Sequence, residues 1–402
     1  MNVLQVNTVY PGGSTGRIVA EIAAYTAAQP DSRAVVAFGI GEPARMNNLL
    51  AVRIGDPTER KFHAVIRKLL DAEGYGSIHA TQQLIRLCEE NHVDVVHLHN
   101  LHGCYLNLKR WFRYLAQADI PVIWTLHDCW PLTGHCAHFA YCGCDKWKTQ
   151  CGRCPQQRSY PECIGLDGSR RNYRLKKRLF TGLKNMTLVL PCRWLQEIVR
   201  DSFLQSVPTR VIYNGVDTER FRPETSDLRA RYGLENKRVL LSVASDWTDR
   251  KGLPELLRLA EMLNDPYRIV IVGLPADRIK TLPPNVLGIE KTASVDLLRA
   301  WYGTADCFVN PTLEDTMPLV NLEALACGTP LAVFDTGGCP EAVTDACGIV
   351  VEKGNIQKLA EAVRQICESG AFHPEACTAR AKRFSMENTL RAYFEFYREV
   401  SQ

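Results

Sequence analysis

No apolar run in the 402 residues approaches the roughly 18 that a bilayer-spanning helix needs, so no membrane-spanning helix is expected. The opening stretch, MNVLQVNTVYPGG, reads as a short strand and a turn. It is too short for the apolar core of a secretory signal, so the chain is expected in the cytoplasm. A G-x-G-x-x-G fingerprint, with an acid closing the next strand, is also missing. That excludes a nicotinamide-dependent oxidoreductase. Neither sign of charge dominates: the net charge is +4, with 23% charged and 46% hydrophobic residues. This is an ordinary globular composition, and no nucleic-acid partner is expected.

What the sequence does have is enough length for two full cores, and its charge is uneven. Residues 1–218 carry 26 Lys/Arg against 18 Asp/Glu, a net +8, while residues 219–402 carry 22 against 26, a net −4. The first half is therefore suited to an anionic partner. The chain also has 16 cysteines. In a cytosolic protein these point to reduced thiols or metal before disulfides.

Strand and helix patterns alternate along the whole chain. In the first half, strands are expected over 2–8, 33–38, 93–99, 120–126, 187–191 and 209–213. Helices are expected over 17–28, 57–73, 78–91, 103–116 and 193–203. Pro11-Gly12-Gly13 joins the first strand to its helix, an arrangement that lets backbone approach a phosphate; a plain tight turn is the alternative. His97 and His99 share one strand face by period two. With no third ligand at a fixed spacing, a structural or cleft-lining role is expected for them. His127 ends the 120–126 strand, where open α/β sheets bind their ligands. After a turn at 214–217, strands over 239–243, 267–272, 286–288, 307–310 and 330–334 alternate with helices over 252–263, 294–302, 318–327, 339–344 and 355–369. This describes a second doubly wound sheet. A closing helix over 385–400 offers Tyr393, Phe394 and Phe396 for packing.

The most informative stretch is 310–330, NPTLEDTMPLVNLEALACGTP. A buried strand stops at Pro311, a polar loop follows, and a helix runs to Gly328. The free N–H groups and positive dipole end of that helix form an anion site around Met317, Pro318, Leu319 and Val320. Two acids frame it, Asp315 on the loop and Glu323 two turns into the helix. A carboxylate accepts two hydrogen bonds from a vicinal diol. A phosphate site between two diol-binding carboxylates describes a nucleotide-sugar. In the loop after the 239–243 strand, Lys251 is placed to reach a diphosphate, with Arg250 beside it.

This stretch resembles the EX7E segment of the retaining glycosyltransferases of family 4, with Asp315 in place of the commoner first Glu. Ala324 to Pro330 and Phe334-Asp-Thr-Gly-Gly338 resemble the rest of that signature, and Asn214-Gly-Val-Asp217 through Phe221 also matches. The Asp-Thr-Met-Pro form is similar to colanic acid and other exopolysaccharide transferases. The resemblance implies a GT-B fold: two Rossmann-like domains facing a cleft, with the last helix crossing back to the first. The domains would be 1–218, including a cysteine-rich insertion at 129–163, and 219–384, with 385–402 as the crossing helix. It implies a UDP- or GDP-sugar donor bound by the second domain and a lipid-linked or glycan acceptor bound by the first. Glu323 would hold the ribose and Asp315 the donor sugar. Lys251, Arg250 and the N–H groups near Met317 would stabilise the diphosphate. Gly12, Gly13 and His127 would face donor and acceptor. The anomeric configuration would be retained without a divalent metal. In place of the family's usual Gly-Arg, this chain reads Ala244-Ser245.

Two segments go beyond that signature. Residues 129–163 hold seven cysteines, among them the C-x2-C pair Cys151 and Cys154. Zinc, free thiols and disulfides are the three readings. By resemblance to transferases with a similar loop, Cys136 and Cys144 would complete a structural zinc site. The basic amphipathic stretch 170–184 is expected to lie on an anionic membrane surface, to grip a diphosphate, or to be a solvated face; in the first case it and the basic amphipathic stretch 59–70 would share one surface at the inner face of the cytoplasmic membrane. A nucleotide-sugar 2-epimerase of the same fold and a non-enzymatic zinc-binding protein are the competing functions.

Overall fold

A computed structural model describes residues 1–292 and 294–402. It divides into two compact units, Met1–Ile212 with Leu390–Gln402, and Tyr213–Thr389.

The first unit is built on eight strands: β1 Asn2–Tyr10, β2 Arg33–Gly41, β3 Ala44–Met46, β4 Leu49–Arg53, β5 Val95–Leu98, β6 Val122–Thr125, β7 Met186–Leu190 and β8 Thr209–Val211. Their order is β3-β4-β2-β1-β5-β6-β7-β8, parallel except for the β3–β4 pair. Central strands such as β2 and β6 are buried along almost their whole length. They read as near-continuous apolar runs because helices cover both faces. The strand order reverses between β1 and β5, so the β1 and β5 loops diverge at that point.

The second unit has six parallel strands: β9 Arg238–Val243, β10 Tyr267–Val272, β11 Val286–Ile289, β12 Cys307–Asn310, β13 Leu331–Phe334 and β14 Gly348–Val351. The order β11-β10-β9-β12-β13-β14 is that of a dinucleotide-binding sheet, with its reversal between β9 and β12. Leu240, Ile269, Ile271, Val309 and Phe334 form its core with Leu256, Leu259 and Val363 from the helices. The chain thus has two Rossmann-like α/β domains.

Several elements differ from the sequence reading. The helix expected from 103 begins at Leu108, because Gly103 and Cys104 have φ of +111° and +62°. Asn107 then caps it through the N–H of Arg110 at 3.0 Å. The helix expected over 57–73 ends at Leu70, where Asp71 turns left-handed. The segment 339–344 is a single 3-10 turn, Pro340–Ala342. The pair β3–β4, strand β14 and the helix Pro374–Lys382 were not anticipated.

The basic stretch needs a larger correction. Its helix spans Ser169–Phe180, and Lys176 points inward. That ammonium is buried, donates to the carbonyls of Trp130 and Thr133 at 2.7 and 3.0 Å, and lies 3.3 Å from the Trp130 ring centroid. Burial pulls its pKa down to about 7. Lys176 therefore ties down the 3-10 turn Trp130–Leu132 and does not belong to a basic surface. Arg171 is likewise tied to the carbonyls of Leu70 and Asp71.

Candidate active site

In the second domain the loops after β9 and β12 lie against each other at the order reversal. The chain leaves β9 and makes a 3-10 turn, Asp249–Lys251, closed by Gly252 at φ +82°. A Cβ on Gly252 would stand 2.1 Å from the Pro311 carbonyl oxygen, so only glycine lets the two loops meet. The N–H of Leu313 donates to the Arg250 carbonyl at 2.8 Å, and the Arg250 guanidinium donates to the Glu314 carbonyl at 2.6 Å. Lys251 Nζ then sits 2.5 Å from Asp315 Oδ2, both side chains partly exposed. Asp315 is held from behind as well: Gly337, at φ +57°, passes so close that a Cβ would overlap the Asp315 carbonyl oxygen at 1.7 Å.

Beyond Asp315 the segment is buried at Thr316 and Met317 and enters the helix Leu319–Ala326. Its N-cap is Pro318, with no side chain bonded to the first turn. Asn214 donates to the Met317 carbonyl at 3.1 Å, and Asn310 donates to Asn321 Oδ1 at 2.8 Å. These bonds hold the helix start against the β12 end. Glu323 is buried in the second turn, where Tyr302 donates its hydroxyl to Oε2 at 2.7 Å. Thr329 in turn donates to the Tyr302 carbonyl at 2.6 Å. One diol-binding candidate is thus paired with a cation and the other oriented by a phenol. The N–H groups of Leu319 and Val320 head the same helix.

In the first domain, Gly12 and Gly13 are exposed at the end of β1, and the helix Gly13–Ala27 starts there without a side-chain cap. His127 follows β6 as expected, but it belongs to a wired row. Gln5 Oε1 lies 3.1 Å from His99 Nε2, and His99 Nδ1 lies 3.0 Å from His127 Nε2. With the Gln5 oxygen accepting, His99 carries its proton on Nε2, and His127 donates its own Nε2 proton to His99. Next to this row, His97 bonds Tyr397 OH at 2.5 Å and Thr125 Oγ1 at 2.8 Å. The His97 and His99 rings lie 3.9 Å apart, on one face as the spacing predicts, and both are buried.

A model described as Glycosyltransferase Family 4 matches residues 12–220, and one described as Glycosyl transferases group 1 matches 237–369. The chain belongs to glycosyltransferase family 4. The glycosyltransferase is 27% identical over 325 residues to the putative colanic acid biosynthesis glycosyl transferase WcaC of Escherichia coli K12, covering 76% of each chain. It is 32% identical to a D-inositol 3-phosphate glycosyltransferase of Catenulispora acidiphila, over 41% of its own length and 45% of that protein's. Its fold matches the sucrose-phosphate synthase of Thermosynechococcus elongatus with a TM-score of 0.73 at 15% identity, covering 99% and 98% of the two chains. It also matches Anabaena Alr3699/HepE, solved in complex with UDP, with a TM-score of 0.67 at 18% identity, covering 99% and 100%. The two domains are those of a GT-B glycosyltransferase.

The structure adds one feature that the sequence reading missed. A groove of about 510 Å³ runs along the ends of β9, β10 and β11, lined by Trp247, Gly273, Pro275, Arg278, Glu290 and Lys291 among others. The signal was available, since these residues follow strand ends in a doubly wound sheet.

The buried histidines of this glycosyltransferase also have a pH consequence. Burial first, and then the neighbouring imidazoles, hold His97 and His99 well below the usual pKa. The fold keeps them neutral, while the unfolded chain takes up protons near pH 6.5. Stability is therefore full above about pH 6.5 and falls as pH drops below it, by up to about 1.4 kcal/mol per pH unit for each histidine. Chemical denaturation at pH 7.5 and 5.5 should show this loss, and His97→Gln should reduce the pH dependence. Equal pH dependence in variant and wild type would contradict it.

Proposed function

We propose that the chain transfers a sugar from a UDP- or GDP-sugar to a lipid-linked or glycan acceptor in the building of an exopolysaccharide. The observation that carries this reading is the pairing of loops at the β9–β12 reversal, where Lys251, Asp315 and the start of the Glu323 helix converge. UDP is taken first, since the Anabaena neighbour was solved with it. The base occupies the groove beside Trp247 and Glu290, Glu323 binds the ribose, and Asp315 binds the donor sugar. Lys251, Arg250 and the N–H groups around Leu319 stabilise the diphosphate as it leaves. The bond from C1 to the diphosphate breaks while the acceptor oxygen bonds C1 on the same face, retaining configuration. A leaving phosphate oxygen takes the acceptor proton, and His127 positions the reacting hydroxyls. No metal takes part in that step; a zinc on the cysteine segment would be structural.

On the acceptor side, the enzyme would work at the inner face of the cytoplasmic membrane. The helix Pro57–Leu70 turns only His63 inward. Phe62, Val65 and Leu69 are 65%, 53% and 49% exposed, and Leu166 beside them is 70% exposed. The N–H of Leu166 bonds the Leu69 carbonyl at 2.8 Å, which joins both into one apolar patch. Arg60, Lys61 and Lys68 lie on the same helix, and basic side chains beside an apolar patch suit an anionic lipid surface. Arg170, Arg174, Lys177 and Arg178 remain as exposed cations on the helix Ser169–Phe180.

One experiment tests both parts. A panel of nucleotide-sugars with a lipid diphosphate acceptor in anionic vesicles, read by mass spectrometry, should give a product longer by one sugar. The triple variant Phe62→Ser, Leu69→Ser, Leu166→Ser should sediment with those vesicles at least about tenfold more weakly, because each side chain loses part of the roughly 1.5–3 kcal/mol its burial provides. Its hydrolysis of donor should be unchanged. Free nucleotide and an epimerised sugar without acceptor would favour the 2-epimerase. Normal sedimentation and transfer by the variant would remove the membrane surface from the reading.

A further inference from the structure

Between β6 and the helix Ser169–Phe180 the chain forms only the 3-10 turn Trp130–Leu132 and a four-residue helix, Lys146–Thr149. Yet Cys136, Phe139, Trp147 and Cys163 are buried within it. An ordered segment of this length with so little regular structure is uncommon and usually has a function of its own. Cys136, Cys144, Cys151 and Cys154, far apart in the segment, all line one small space of about 10 Å³, walled by Phe139, Trp147 and Pro155. That volume suits a single ion or water. The thiols of Cys136 and Cys154 hydrogen-bond each other, and every cysteine is a free thiol. Lys146 Nζ donates to the carbonyls of Gly152 and Arg153, fixing the turn between Cys151 and Cys154.

His135 lines the same space. Its Nδ1 lies 2.6 Å from Asp71 Oδ1, with both side chains almost fully buried. The other oxygen of Asp71 accepts the N–H of Gly168 at 3.0 Å. His135 Nε2 is buried and has no partner. A carboxylate-held imidazole with its second nitrogen uncommitted is the arrangement that supports metal centres.

A second cluster competes with this one. His63, Glu73 and Cys104 bring their ligand atoms within 4.8 Å of one another. Those atoms are already used: His63 Nε2 accepts the N–H groups of Gly74 and Gly76, and Glu73 accepts those of Gly103 and Cys104. Among the described residues the four thiols do not close to that spacing, so an ion would draw them inward. Thiolate donors in a tetrahedral set select zinc.

We propose that Cys136, Cys144, Cys151 and Cys154 bind one structural zinc ion, with the Asp71-held His135 packed beside the four sulfurs. The full-length protein, purified under reducing conditions without chelator, should carry about one zinc per chain by elemental analysis. Added Co²⁺ should give the intense thiolate charge-transfer band. Cys151→Ser with Cys154→Ser should lose the metal, whereas Cys142→Ser, at an exposed thiol outside the set, should keep it. His135→Gln should release zinc to a chelator at least about tenfold faster. Should the double variant fail to fold, thiol labelling of the wild-type chain decides: the four cysteines should react only after chelation. A protein without zinc that takes up neither Zn²⁺ nor Co²⁺, or whose four thiols react equally fast with and without zinc, overturns the site.

Discussion

Lys251→Met is expected to lower kcat by about 100- to 1,000-fold, the range for removing one preorganised group that meets charge developing in a transition state. Lys251 is the cation that the β9–β12 loop pair delivers, and its ammonium already sits 2.5 Å from Asp315. The same ammonium would meet the diphosphate as its charge grows. Methionine keeps the length of the chain but not the charge. Donor binding should weaken less than turnover, because the helix N–H groups and Arg250 remain. The change also strips Asp315 of this cation, so Asp315→Asn in the Lys251→Met background should recover any stability lost. Steady-state rates with the donor that supports turnover make the measurement. A kcat within threefold of wild type would remove Lys251 from the diphosphate site.

Glu323→Ala should weaken UDP binding by about 2–3 kcal/mol, roughly 30- to 150-fold. The carboxylate is buried, with one oxygen taken by Tyr302, so its geometry is set before any ribose arrives. Alanine removes both ribose bonds and leaves the Tyr302 hydroxyl to find another acceptor. Titration calorimetry with UDP and GDP separates this loss from a change in nucleotide preference. Tyr302→Phe keeps the carboxylate and should cost much less. Unchanged affinity in a folded Glu323→Ala protein would rule out the ribose role.

Asp315 and Glu323 were legible in the sequence for one reason. The two acids and the uncapped helix start lie within a single contiguous stretch, 310–330, so spacing alone sets them side by side. Strands β9, β10, β12 and β13 were legible because each is an apolar run buried on both faces. Strand β3 has three residues, two of them exposed, and leaves no such pattern. The helix Pro374–Lys382 buries only Cys377 and Ala381, so no apolar stripe marks it. Lys176 was misread because a string of cations resembles a solvated face. Its carbonyl partners lie 43 and 46 residues earlier in the chain. The Gln5–His99–His127 row joins positions 94 and 28 residues apart. Only the strand order brings them together.

The last helix also sets a schedule. Tyr393 bonds Thr125 and Tyr397 bonds His97, so the buried polar pair His97 and Thr125 of the first domain is completed by side chains encoded after the whole of the second. At about 5–20 residues per second, the ribosome delivers them about 10–40 s after Ile212. During that interval His97 and Thr125 lack their phenol partners, and the Tyr213–Thr389 unit has time to fold first. The domain that begins synthesis is thus the one that matures last. A nascent chain stalled before position 390 should hold a protease-resistant second domain beside a first domain still open to cleavage.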